Sequence, residues 1–180
     1  MILALLLQDS LGPWAQVQEK YREVQALRAQ FAERVHFAEG GEAVFRGTLL
    51  LAVPNKVRIE ASAPQRQLIL SDGELAYFKD LETGETLSQP VEEVSKALDP
   101  RVFLFKIPEG FNLSYSKADS AHAYTLLAPE GYPYAKVEVF LNDSLLPLEV
   151  KITDRVGNSY DFVLSGVELN PPAPDSLFAP

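Results

Sequence analysis

Two periodicities divide the chain. From Trp14 to about Val35, apolar residues recur at steps of three and four (Val17, Tyr21, Val24, Leu27, Phe31), with Gln, Glu, Lys and Arg between them. This spacing predicts an amphipathic helix, and Pro13 suits its first turn. Gly40 and Gly41 then punctuate the pattern, and the period drops to two.

Most of the remainder reads as strand. The stretch from Phe45 to Ala52 is rich in Leu, and Val57, Ile59 and Ala61 alternate with Arg58 and Glu60. Such alternation marks a strand with one buried and one wet face. Gln67 to Ser71 predicts a further strand. Ser71-Asp72-Gly73 predicts a turn, because Asp can accept from the backbone ahead of it and Gly tolerates positive φ. Leu75 to Lys79 returns as the hairpin partner, and Glu82 to Glu85 turns the chain again.

The rhythm breaks between Val91 and Phe105. Pro90 opens a short predicted helix that Asp99-Pro100 stops, with Glu92 and Glu93 in the first turn, where the helix dipole favours anions. Val102, Phe103, Leu104, Phe105 and Ile107 then crowd together, and a short helix that is apolar nearly all round must be covered. Strands resume at Leu113 and Tyr115, at Tyr124 to Leu127, at Ala135 to Leu141 and at Leu148 to Ile152. Tyr160, Phe162 and Leu164 share one parity while Val167 and Leu169 share the other, so Gly166 is the expected site of a β-bulge. Asn142-Asp143 and Arg155 to Asn158 read as turns. The proline-rich tail has only Leu177 and Phe178 as late apolar anchors.

About nine to eleven short strands with hairpin-length connections predict an antiparallel barrel or a strongly curved sheet. There is no βαβ alternation and no internal repeat, which argues against a doubly wound fold. The expected class is mainly β: one strongly curved antiparallel sheet, an unclosed half-barrel, covered by the N-terminal helix and short lid helices.

Composition narrows the function more than the fold. A chain of 180 residues with 47% hydrophobic residues suits one domain, expected over residues 16–180. Residues 1–15 carry the apolar run Ile2 to Leu7, too short to span a bilayer and read as a signal-like segment, as an extension of the first helix or as an apolar strand end. A formal charge of −9 argues against nucleic acid and against anionic membrane surfaces. The absence of cysteine removes disulfides, thiolate metal sites, cysteine nucleophiles and anchoring through an acylated cysteine. His36 and His122 lack metal-ligand spacing. Ser116, Asp119, Ser120 and His122 share one polar stretch between strands, whereas catalytic triads assemble from separate elements. The carboxylates Asp72, Glu74, Asp80, Glu82 and Glu85 fall at turns, where such residues are expected anyway. No catalytic residue, metal ligand or cofactor site is therefore expected. A lidded sheet with this apolar content either holds an internal cavity or has a filled core, and composition alone does not choose between them.

The run from Phe45 to Asp80 adds a resemblance. Gly47, Pro54, Arg58, Pro64, Ser71, Asp72, Gly73 and Tyr77 fall in the order seen in the outer-membrane lipoprotein carrier family, LolA. Asp154, Gly157 and Asn158 are similar to its later Asp-x-x-Gly-Asn turn. The resemblance spans nearly the whole chain and extends to the related LolB and RseB folds. It implies a non-catalytic periplasmic carrier, a monomer without cofactors, that binds the acyl chains of lipoproteins or lipids in an apolar cavity. Its partners would be an inner-membrane release complex and an outer-membrane acceptor. The alternative on the same fold is an envelope lipid-sensing or protein-interaction module with a filled interior. Two departures stand out: Val53 occupies the loop position where the family carries a lid-tethering Arg, and Ile59 and Ala76 lie near positions where the family often has Trp.

The expected cavity lining is Leu49, Leu51, Val57, Ile59, Leu68, Leu70 and Tyr77. The expected lid is Val94, Leu98, Phe103 and Phe105.

Overall fold

The first predicted helix is shorter than its pattern. In the computed structural model, which describes residues 11–91, 100–107, 109–118 and 120–180, helix α1 covers only Trp14–Tyr21 and buries Val17 and Tyr21. The chain then becomes strand β1, Ala26–His36. Leu27, Ala29, Phe31 and Val35 fit period two as well as Leu27 and Phe31 fit the helical steps. Pairing decides the conflict: β1 makes an eleven-residue register with β2 (Glu42–Ala52) on one side and pairs with β11 (Ser159–Leu169) on the other. Two ladders override a strong local helix preference, since Ala, Leu, Arg, Gln and Glu dominate the segment.

The other strands are β3 (Lys56–Ala63), β4 (Gln67–Ser71), β5 (Leu75–Asp80), β6 (Thr86–Pro90), β7 (Asn112–Ala118), β8 (Ala121–Leu127), β9 (Tyr134–Leu141) and β10 (Pro147–Asp154). Among the described residues they form one eleven-stranded sheet in the order β6-β5-β4-β3-β2-β1-β11-β10-β9-β8-β7, every pair antiparallel. The sheet does not close on itself: β6 and β7 are its two edges. A second short helix, α2 (Pro100–Phe103), lies between them in the chain. The predicted helix over residues 91–98 falls almost entirely outside the described residues.

The turns form as their residues dictate. The Asp72 carboxylate accepts from the backbone N–H groups of Glu74 and Leu75 at 2.8 and 2.9 Å, and Asp80 accepts from those of Glu82 and Thr83 at 2.7 and 2.9 Å. These backbone bonds hold both carboxyls below the ordinary range. The Asp154 carboxylate accepts from the backbone N–H groups of Val156 and Asn158, both at 2.9 Å, so the Asp-x-x-Gly-Asn run is a structural turn. Its Asn158 also accepts from Ala38 at 3.0 Å, tying this hairpin to the β1–β2 hairpin. The bulge expected at Gly166 is present: the β1–β11 register slips between Arg28 and Gln30, and Gly166 takes φ 60°.

Both faces of the sheet are partly covered. The main core lies on the inner face, where Val17 and Tyr21 of α1 and Val102, Phe103 and Leu104 meet Leu27, Phe31, Leu49, Leu51, Tyr124, Val137, Val139 and Phe162. On the outer face the C-terminal tail makes a small second cluster, in which Phe178 packs on Ala26, Leu50 and Ala52. Polar contacts strap this tail down. Lys56 Nζ donates to Asp175 at 2.5 Å, and Arg58 donates to the Leu177 carbonyl at 3.2 Å.

Candidate acyl-binding face

Register decides which side chains share the inner face. Directly paired residues of neighbouring strands project to the same side. One row therefore runs Leu49, Ile59, Ile69, Phe78, Leu87 across β2 to β6, and a second runs Leu51, Val57, Ser71, Ala76, Gln89. The opposite face carries Leu50, Arg58, Leu70, Tyr77 and Ser88 in one row and Thr48, Glu60, Leu68, Lys79 and Thr86 in the next. The expected lining thus divides between two faces. Leu49, Leu51, Val57 and Ile59 lie on the side of the main core, whereas Leu68, Leu70 and Tyr77 lie on the other. Their places on the inner face are taken by Ile69 and Phe78. The β3–β4 connection sets this parity, and Arg58, facing outward opposite Leu70, is the sequence signal that could have revealed it.

Burial falls steadily along the first row. Leu49 and Ile59 are 1% and 5% exposed, Ile69 and Phe78 are half-buried, and Leu87 on the edge strand is 66% exposed. The apolar inner face thus runs from a packed core out to an open edge. Ile69, Phe78 and Leu87 border a hollow of about 170 Å³ near that edge, with Gln67, Leu68, Lys79, Asp80 and Glu85 completing its wall.

The cover over the packed part is aromatic. The Phe105 ring lies 4.6 Å from Tyr21 and 6.2 Å from Trp14, and Trp14 lies 5.1 Å from Tyr124. Phe103, fully buried, meets Phe162 edge-on at 5.7 Å. Phe105 itself takes φ 54°, an uncommon conformation for a side chain of that size. Of the expected lid residues, Phe103 and Phe105 sit in this cover, while Val94 and Leu98 lie outside the described residues.

Val53 is half-buried against the main core, and its backbone N–H donates to Gln25 at 2.9 Å. A tie between the segment after α2 and the end of α1 comes from a residue that sequence reasoning missed. Lys106 Nζ donates to the carbonyls of Tyr21 and Arg22 at 2.8 and 2.7 Å, at the C-terminal end of α1. A cation there satisfies orphan carbonyls and complements the helix dipole. Tyr21 adds a bond from its hydroxyl to the Leu145 carbonyl at 2.9 Å, and burial pushes its phenol pKa up. Lys106→Met keeps the apolar stem and removes the ammonium. Amide hydrogen exchange in α1 should then accelerate about tenfold, the equivalent of one charge-assisted bond, with the β10–β11 hairpin unaffected. Unaltered protection of α1 would show that Lys106 does not hold the lid.

An acid interrupts the apolar inner face at its middle strand. Glu33 on β1 pairs with Phe45 on β2 and Phe162 on β11, which places it on the side of the main core. Burial pushes its carboxyl up to about 7 from 4.5. The unfolded chain ionises this group first, so stability from this site falls as pH rises between those two values. Among the described residues no group of three or more acidic or His side chains is placed to hold a metal ion.

Comparison with known proteins decides the family. The family model "Outer membrane lipoprotein carrier protein LolA" matches residues 22–180. The chain belongs to the LolA family. Similar proteins include an outer-membrane lipoprotein carrier protein of Legionella pneumophila, 24% identical over 90% of this chain and 82% of that one. Another, from Bordetella avium, is 23% identical over 98% of this chain and 88% of that one. Among solved structures, a LolA superfamily protein from Nitrosomonas europaea is 13% identical, covers 92% of this chain and 97% of its own, and has a TM-score of 0.50. This likeness shows that the open, lidded sheet is the LolA fold. No helix among the described residues is long and apolar enough to cross a membrane.

Proposed function

We propose that this LolA-family protein is a non-catalytic carrier that takes the acyl chains of lipoproteins or lipids onto its inner face and moves them across the periplasm towards the outer membrane. The observation that carries this reading is the row Leu49, Ile59, Ile69, Phe78, Leu87, which leads from a dry core to an exposed edge. An acyl chain laid along such a row gains about 0.8 kcal/mol for each CH₂ withdrawn from water. The open side lets it enter without breaking the sheet, and the aromatic cover over α1 and α2 closes the other end. An inner-membrane release complex would deliver the cargo and an outer-membrane acceptor would receive it.

A second reading, an interaction module with a filled interior, is supported by the packing over the other half of the sheet. There Tyr124, Leu126, Val137, Val139 and Phe162 are at most 1% exposed. Titration with a fluorescent long-chain fatty acid separates the two. The carrier reading expects saturable binding with emission shifted to the blue. It also expects acyl-bearing adducts in native mass spectra of the protein recovered from its own cell envelope. No binding of the probe, together with lipid-free recovery, would reject it.

A further inference from the structure

The middle strand of the inner face carries an acid that acyl-chain packing leaves unexplained. Glu33 stands in the middle strand of the sheet, between Phe45 and Phe162 across the two ladders and between Phe31 and Val35 along its own strand. Phe31 and Phe103 both pack on Phe162, so the surroundings are aromatic and apolar. Among the described residues no cation is paired with it. On β11 the Tyr160 phenol feels Glu33, its own pKa being raised by burial first and then by Asp154 and Glu33. The neighbouring cations Arg34 and Arg46 have the opposite parity, and Arg34 is paired with Glu42. Among the described residues no hydrogen bond or ion pair reaches the Glu33 carboxylate.

A carboxylate in an apolar setting calls for a donor, and a cationic donor compensates it best, because a charge-assisted bond is about twice as strong as a neutral one. The chemistry of a lipid cargo can supply that donor. We propose that Glu33 is a recognition point for the head of the bound amphiphile, its carboxylate receiving a primary ammonium carried beside the acyl chains. This rests on the carrier reading. The acyl chains occupy the apolar row, and the ammonium end of the same molecule meets Glu33. An ammonium of this kind has two sources, the α-amine of an acylated cysteinyl peptide and the ethanolamine headgroup of a phospholipid.

The test uses three probes of equal chain length, dodecylamine, dodecanol and dodecanoate, titrated at pH 8 against the full chain and its Glu33→Gln variant. The intact protein should prefer dodecylamine over dodecanol about tenfold or more and should bind dodecanoate weakest. In Glu33→Gln the three affinities should converge to within about threefold, with an unchanged circular-dichroism spectrum. Glu33→Leu should bind dodecanol more tightly than the intact protein does. Equal binding of all three probes by the intact protein, or a preference that Glu33→Gln retains, overturns the recognition role and leaves the carrier reading standing. Failure of all three to bind overturns the recognition role and, together with lipid-free recovery from the cell envelope, the carrier reading as well. A diacylated cysteinyl peptide with a free α-amine, its N-acetylated form and phosphatidylethanolamine then distinguish the source. A Glu33-dependent preference for the free-amine peptide assigns the site to lipoprotein cargo, one for phosphatidylethanolamine to a membrane lipid, and neither overturns the proposal.

Discussion

Gly47→Val should abolish folding, and even Gly47→Ala should lower the melting temperature by roughly 6–12 °C, the equivalent of about 3 kcal/mol for a chain of this size. A Cβ at this position would lie 2.0 Å from the Glu60 carbonyl oxygen and 2.9 Å from the Ala61 Cα. Both are backbone atoms of β3, so no side chain can swing aside to relieve the contact. The crowding arises where the β2–β3 register shifts between Arg46 and Gly47: Arg46 pairs with Ala63 while Gly47 pairs with Ala61, which bulges β3 towards β2. β2 is an interior strand, so moving it away from β3 also disturbs its eleven-residue ladder with β1. Thr48→Ala, on the exposed outer face one residue along, should change stability by no more than about 0.5 kcal/mol. Thermal melts followed by circular dichroism check the comparison. A Gly47→Ala protein that melts with the parent would show that the two strands separate at little cost.

The second large effect concerns binding. Ile69→Glu and Phe78→Glu should each weaken a fluorescent acyl probe by roughly a hundredfold or more, because the ligand would desolvate a carboxylate with no partner. Tyr77→Glu, one residue from Phe78 and equally half-buried, should leave affinity within about threefold, since a single step along a strand moves a side chain to the other face. The pairing makes the comparison sharp. Neighbouring positions receive the same substitution, and only the face differs. Equal losses at Tyr77 and Phe78 would mean that the probe does not lie on the inner face.

The strand pattern was largely legible because period-two alternation and turn chemistry are local. Arg58 and Glu60 between Val57, Ile59 and Ala61 mark β3, Asp72 and Asp80 mark its successors' turns, and Gly166 marks the bulge in β11. Local pattern failed where two periods coincide. Leu27 and Phe31 satisfy a helix and a strand alike, and only the ladders to β2 and β11 choose between them. The lining failed for a related reason. Alternation shows that a strand has two faces without saying which one looks inward, so Leu68, Leu70 and Tyr77 were placed with Leu49 and Ile59. Lys106 and Glu33 carried no motif at all, and their partners and surroundings come from segments far away in the chain.

By itself, then, the sequence determined that this protein is a hairpin-built antiparallel sheet with an apolar cover and no thiol chemistry, and its ordered Gly, Pro and Ser-Asp-Gly positions pointed to the LolA family. Those features depend on near neighbours: side-chain alternation, positive-φ glycines, and Asp side chains bonding the backbone just ahead. Only the tertiary structure decided where α1 stops, that the inner row continues through Ile69 and Phe78 to an open edge, that Lys106 ties the cover to α1, and that Glu33 faces the core. Each of these depends on register and packing between segments tens of residues apart, and free energies of that kind leave no periodic trace in the chain.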